Sequence, residues 1–190
     1  NAGTLQLTGF PYRLTDVRAS GHYALTNNEQ RRLTLNSFAA RHGSTRVTTR
    51  GIFEIDSRKD WMLRLDPLAC DELVADNDLL KALPVRLRQT VSNLNPQGPF
   101  HLGGLIELRG AGDPGFPITA AWNLETRLPD NRLSAGVQFE DVSGRITSRG
   151  KWYGQHAEMT GNFALDSASL WGYRFREIRG PFHYRNQDLL

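Results

Sequence analysis

The chain has 190 residues, 39% of them apolar, and its 23 basic and 20 acidic residues leave a net charge of +3. Those charges are interleaved along the whole length, a solvated-face pattern rather than the one-sided basic stripe that nucleic acid requires. The single cysteine, Cys70, excludes an internal disulfide, and no run approaches the ~18 apolar residues of a membrane-crossing helix.

In chain order the sequence alternates from the start. Leu5 and Leu7 share a face, GFPY then reads as a turn, and Leu33 matches Leu35 in RRLTLNSF. TRVTTRGIFEI is rich in β-branched residues, and Trp61, Leu63 and Leu65 fall on one side of WMLRLDP. These period-two runs are bounded by Gly, Asn, Asp and Pro clusters, with further turns expected at TNNEQ, RHGS, AGDPGFP, LPDN and WYGQ. The pattern predicts antiparallel strands of about ten residues.

Residues 70–98 break the alternation. Leu79, Leu80, Leu83, Leu87, Val91 and Leu94 recur at three- and four-residue spacing, a single amphipathic helical stripe. Pro84 suits the first turn of a second helix, and Pro96 with Gly98 ends the stretch. The expected layout is a first β meander over 1–69, a helical insert or linker over 70–98 with its helices around 71–94, and a second meander over 99–190. The two meanders are expected to form one continuous β unit.

One phrase recurs, as YRLTDVRASG at 12–21, VQFEDVSG at 137–144 and YRFREIRG at 173–180. In each copy the apolar positions change parity at the same point: Tyr12 and Leu14 then Val17, Val137 and Phe139 then Val142, Tyr173 and Phe175 then Ile178. An extra residue in a β-bulge keeps the later side chains on the original face. The bulges are expected at Thr15–Asp16, Glu140–Asp141 and Arg176–Glu177, with the acids turned to water and the sheet strongly curved.

Catalytic constellations do not emerge. His22, His42, His101, His156 and His183 lack metal-ligand spacing, and Cys70 has no recognisable histidine partner. Asp71–Glu72 and Glu140–Asp141 are neighbours in sequence, so on a strand they point to opposite faces and cannot flank one bond. RGAGDPGFP has turn chemistry without the Lys-Ser/Thr of a phosphate loop. No enzyme activity, metal or cofactor is expected. Of Trp61, Trp122, Trp152 and Trp171, Trp152 lies with Tyr153 in a turn phrase, where it can be exposed to a membrane interface or glycan or packed over the sheet end.

The phrases VQFEDVSGRITSRGKWYGQ, MTGNFALDSASLWGYRFREIRGPF and LTLNSFAARHGSTRVTTRG resemble the AsmA-like proteins of double-membraned bacteria, TamB-type members included. DLLKALPVRLRQTVSNLNPQG followed by GPFHLGGLIELRG is similar to the linker between successive repeats in such chains. The resemblance implies a mainly β fold, a β-groove or taco-like unit of long, twisted, strongly curved antiparallel strands comprising one or two repeats. It further implies a periplasmic, cell-envelope setting, a membrane-anchored parent of which this is a soluble fragment, and a part in phospholipid movement or outer-membrane homeostasis. Adjacent repeats of the same parent and self-association through edge strands are the expected protein contacts.

A groove for a phospholipid or another acyl-chain lipid needs only an apolar lining. The candidates are Leu14, Val17, Tyr23, Leu33, Leu35, Val137, Phe139, Val142, Ile146, Phe163, Leu165, Tyr173, Phe175 and Ile178. Alternation marks an apolar face but not what covers it. The same residues would equally fill the closed core of a structural or interaction spacer, and a carbohydrate-binding β domain is the third reading.

Overall fold

Period-two alternation sustained over long runs leaves each strand with one apolar side, and the computed structural model resolves how those sides meet. It describes residues 3–7, 10–25, 30–113, 115–154, 156–185 and 188–189. The strands are β1 (Gly3–Leu7), β2 (Phe10–Leu25), β3 (Arg31–His42), β4 (Thr45–Ile55) and β5 (Trp61–Leu73). Helices α1 (Asn77–Ala82) and α2 (Val85–Leu94) follow. The chain then continues through β6 (Phe100–Gly110), β7 (Thr119–Ser134), β8 (Gln138–Tyr153), β9 (His156–Leu170), β10 (Tyr173–Arg185) and β11 (Asp188–Leu189). All eleven strands form one antiparallel sheet in strict sequence order, each paired with its chain neighbours.

The strands are longer than expected, reaching 16 residues in β2, β7 and β8. Two expected turns are strand instead. Phe10, Pro11 and Tyr12 of GFPY open β2, with Gly9 outside the described residues. LPDN lies inside β7, where the register with β8 shifts between Leu128 and Asn131. Proline is tolerated there because a bulge frees its position from the ladder. Of the other turn phrases, Thr26–Glu29 and Gln155 fall outside the described residues.

Two copies of the repeated phrase encode bulges, in β2 and β8; the third, expected at Arg176–Glu177 of β10, keeps the positive φ without a register shift. Asp16, Asp141 and Glu177 have φ of 52°, 51° and 54°. The ladder shifts register between Thr15 and Arg18 of β2 and between Glu140 and Ser143 of β8. In β10 the pairing runs from Arg176↔Ser167 to Ile178↔Leu165 without a shift, because β9 carries its own extra residue, Asp166, opposite Glu177. A third bulge of this kind lies in β5, where Glu72 has φ 53° and the register with β6 shifts between Cys70 and Leu73. The extra carbonyls find partners on neighbouring strands: Thr45 donates its hydroxyl to Glu72 O at 3.0 Å and Ser167 to Asp141 O at 3.0 Å.

These bulges lie near one line running across the strands. A second line crosses the first half of the sheet, where Asn36–Ser37 of β3 and Asp66–Pro67 of β5 each set two residues against one on both flanking strands. Bulges bend the strand that carries them, so aligned bulges crease the sheet and the resulting trough runs across the strands.

The helical segment starts later than the sequence pattern suggests. Residues Cys70–Leu73 complete β5, and α1 begins only at Asn77. Asp76 caps α1 by accepting from Leu79 N at 2.8 Å, and Pro84 sits at the N-cap of α2. The stripe is split in its burial: Leu79 and Ala82 pack against Tyr12, Leu68, Cys70 and Leu73, whereas Val85, Leu87 and Leu94 of α2 are exposed. His42 ties α1 to the sheet. Its ring stacks on Tyr12 at 4.1 Å, its Nδ1 donates to Arg13 O at 2.7 Å, and its Nε2 stands 3.4 Å from Asp76.

Candidate functional site

Residues paired across antiparallel strands share a face, so the register sorts the sheet into two surfaces. On one surface ionic side chains form ladders: Arg32 with Glu54 at 2.6 Å, Arg109 with Glu107 at 2.8 Å, Arg127 with Glu125 at 2.6 Å and Arg185 with Glu158 at 3.5 Å. Such exposed pairs contribute only about 0.2–1 kcal/mol each, but they keep this surface wet.

The other surface is predominantly apolar, with Arg31, Thr49, Thr126 and Ser148 interspersed. One row runs Leu35, Gly51, Leu65, Ile106, Trp122, Gly150, Met159 and Tyr184 from β3 to β10. The row beside it runs Leu33, Phe53, Leu63, Leu108, Ala120, Trp152 and Ala157. Four rings on this surface lie against glycines of the adjacent strand. A Cβ at Gly110, Gly150 or Gly161 would stand 2.4 Å from Trp61, Trp122 or Phe182, and one at Gly180 would stand 2.8 Å from Phe163. Each glycine is therefore a seat for a ring that lies low over the sheet, giving the trough an aromatic floor.

The structure distributes the sequence candidates between a packed wall and this open floor. Val142 is 1% exposed and forms a cluster with Leu128 and Ala168, against which Phe139, Ile146, Leu165 and Ile178 are half-buried. Leu14 is half-buried beside Tyr12, and Val17 lies past the Asp16 bulge opposite Gly3. Phe163 seats on Gly180, and Leu35 is half-buried in its row. Tyr23 and its partner Leu33 are exposed, as are Tyr173 and Phe175, while Val137 is half-buried just before β8. Among the described residues no second sheet covers this surface; α1 packs over part of it through Leu79 and Ala82.

The lining candidates left out the central strands, which contribute Phe53, Leu63, Leu65, Leu68, Leu102, Ile106, Leu108, Trp122 and Leu124 to the same surface. The signal was present as plain alternation in HLGGLIEL, without the repeated phrase that drew attention elsewhere.

Chemically reactive groups are not gathered here. Burial pushes the Cys70 thiol up to about 11 and the Tyr12 phenol up to about 12, so both stay neutral near neutrality. Among the described residues no three His, Cys, Asp or Glu side chains lie close enough to hold a metal ion, and no helix is long and apolar enough to cross a membrane. A shallow concavity of about 570 Å³ lies on the ionic surface, not on the apolar one; it is lined by Asn123, Thr147, Arg149, Thr160, Asn162 and His183 with their neighbours, without a carboxylate or thiol. No family model, curated protein or solved structure matches the chain.

Proposed function

We propose that the chain is a non-enzymatic cell-envelope module whose trough shields lipid acyl chains, as a segment of an AsmA-like periplasmic protein serving phospholipid transport or envelope homeostasis. The observation that carries this reading is the pair of adjacent apolar rows that cross a single-layer, creased sheet, with no second sheet over them among the described residues. Each methylene withdrawn from water contributes about 0.8 kcal/mol. Ten methylenes against the floor would therefore contribute about 8 kcal/mol. Association itself costs ~4–15 kcal/mol, so a single acyl chain would be held weakly and could slide, as a conduit requires.

The head group would remain in water at the trough rim, and no protein group need react with it. A second reading, a structural or interaction spacer, is favoured by the edges. Among the described residues the outer side of β10 pairs with β11 only at Tyr184 and Arg185, leaving Tyr173–His183 open to an adjacent repeat or a second copy.

Displacement of a fluorescent fatty acid, with mass spectrometry of co-purified lipid, tests the first reading. The native chain should bind the probe saturably, and Leu35→Asn combined with Leu63→Asn should abolish binding while the fold persists. A folded native chain that neither carries lipid nor binds the probe leaves only the spacer.

A further inference from the structure

The hairpin joining β9 to β10 departs from the usual chemistry of its turn. Leu170 pairs with Tyr173, so Trp171 and Gly172 form a two-residue loop, with φ of 51° and 82°. Two positive φ values define a type I′ turn, whose favoured sequence is Asn-Gly. Gly172 suits its position. The indole residue before it is strained, because its Cβ crowds the following carbonyl in a conformation that Asn tolerates far better. Nothing within the described fold offsets that strain, since Trp171 is 79% exposed.

The residues that follow extend the anomaly. Tyr173 is 72% and Phe175 46% exposed on the apolar surface. Arg174 and Arg176 alternate with them on the opposite surface, exposed and without an ion pair among the described residues. From Ser167 to Arg176 these two arginines are the only charged side chains. The acids around them have other places: Glu140, two strands away in the row of Arg174, lies 3.9 Å from Arg132, Asp141 accepts from Ser169 at 2.9 Å, and Asp166 and Glu177 sit at the crease.

We propose that this hairpin tip docks the protein on an anionic phospholipid surface. Tryptophan and tyrosine rings settle at the level of lipid head groups, and guanidinium groups pair with head-group phosphates while drawn by the negative surface potential. Strain retained at an exposed aromatic is accounted for when the ring's partner lies outside the molecule. A second copy of the chain fits the tip less well, because a two-fold contact there would crowd Arg174 and Arg176 against their own counterparts. The docking does not depend on what the trough holds.

Co-sedimentation with vesicles of equal phosphatidylcholine and phosphatidylglycerol, against vesicles of phosphatidylcholine alone, tests the proposal. The native chain should partition onto the anionic vesicles. Trp171→Asn should weaken partition about tenfold, and Arg174→Gln or Arg176→Gln about fivefold each. Trp171→Asn should also unfold at higher denaturant than the native chain and bind the fatty-acid probe unchanged. Conversely, Leu35→Asn with Leu63→Asn should lose the probe and keep the vesicles, which separates failure of the docking from failure of the trough. Native chain that ignores anionic vesicles, or Trp171→Asn and the arginine variants that bind them as the native chain does, would overturn the proposal. So would a native dimer that Trp171→Asn dissociates in the absence of vesicle binding, since that assigns the tip to a second copy.

Discussion

Deleting Asp141 should damage the fold far more than replacing it. The residue is the extra member of the β8 bulge, and its removal restores simple alternation through Glu140 and Val142. One side of the strand must then turn over. Reversing the segment before the bulge is cheaper than reversing the twelve-residue stretch that follows, so Val137 and Phe139 would move to the wet surface and Gln138 and Glu140 to the apolar one. Val137 and Phe139 are half-buried, and half of the ~1.5–3 kcal/mol for full burial of each gives about 2 kcal/mol together. The hydroxyl bonds from Ser167 to Asp141 O at 3.0 Å and from Ser169 to its carboxylate at 2.9 Å also disappear, at about 1 kcal/mol each. The sum, about 4 kcal/mol, is a large share of the ~5–15 kcal/mol that holds a typical domain together. Urea unfolding followed by tryptophan fluorescence measures it, with Asp141→Asn as the control that keeps the bulge and stays within about 1 kcal/mol of native. A deletion variant as stable as that control would show that the bulge does not set which face the β8 side chains occupy.

Gly150→Ala should cost about 1–3 kcal/mol and shift the tryptophan emission. The new Cβ would stand 2.4 Å from the Trp122 ring, which can swing away, and 2.6 Å from Glu158 O, which cannot. Alkaline pH should weaken the fold through Cys70 and Tyr12. Their folded pKa values, about 11 and about 12, lie above the unfolded 9.0 and 10.0, so the native state holds protons that the unfolded state has released. Stability is complete below pH 9 and falls as pH rises toward 12, by on the order of 2 kcal/mol for the thiol alone. Urea midpoints across that range, with Cys70→Ala removing the lower part of the fall, check the assignment. The same burial should keep Cys70 unreactive to thiol reagents at pH 8 until the chain unfolds.

The bulges at Asp16 and Asp141 and the positive-φ kink at Glu177 were legible because a parity change in apolar residues leaves a mark in one dimension. The same mark was present at Glu72, as Leu68 and Cys70 then Leu73, but the leucines of α1 follow so closely that a helical reading absorbed it. It was present again as Leu33 and Leu35 then Phe38, and as Leu63 and Leu65 then Leu68, at the second crease. There Asp66–Pro67 closes the phrase WMLRLDP, and nothing local distinguishes a proline that ends a strand from one placed in a bulge. The aromatic floor was not legible. Pairing Trp122 with Gly150 or Phe182 with Gly161 requires the register, which is a property of two strands at once. Trp171 was legible only as a tryptophan, because its exposure and positive φ depend on a turn type fixed by the pairing around it.

A half-wet apolar surface has a thermodynamic signature that separates trough from spacer. Water retained on Leu33, Tyr23 and their neighbours means that less apolar area is buried on folding than a closed core of this length would bury. The urea m-value and heat-capacity change per residue should therefore fall below those of closed domains. An acyl ligand that covers the surface binds the folded state alone and should raise stability by RT ln(1 + [L]/Kd), about 2.7 kcal/mol at a hundredfold excess over Kd. A filled spacer has no such surface, so added fatty acid would leave its unfolding midpoint where it was. A low m-value with a midpoint that climbs with ligand concentration, and fails to climb in Leu35→Asn with Leu63→Asn, is the combined result the trough requires. A midpoint indifferent to ligand removes the basis for lipid shielding even if the sheet is as open as the register implies.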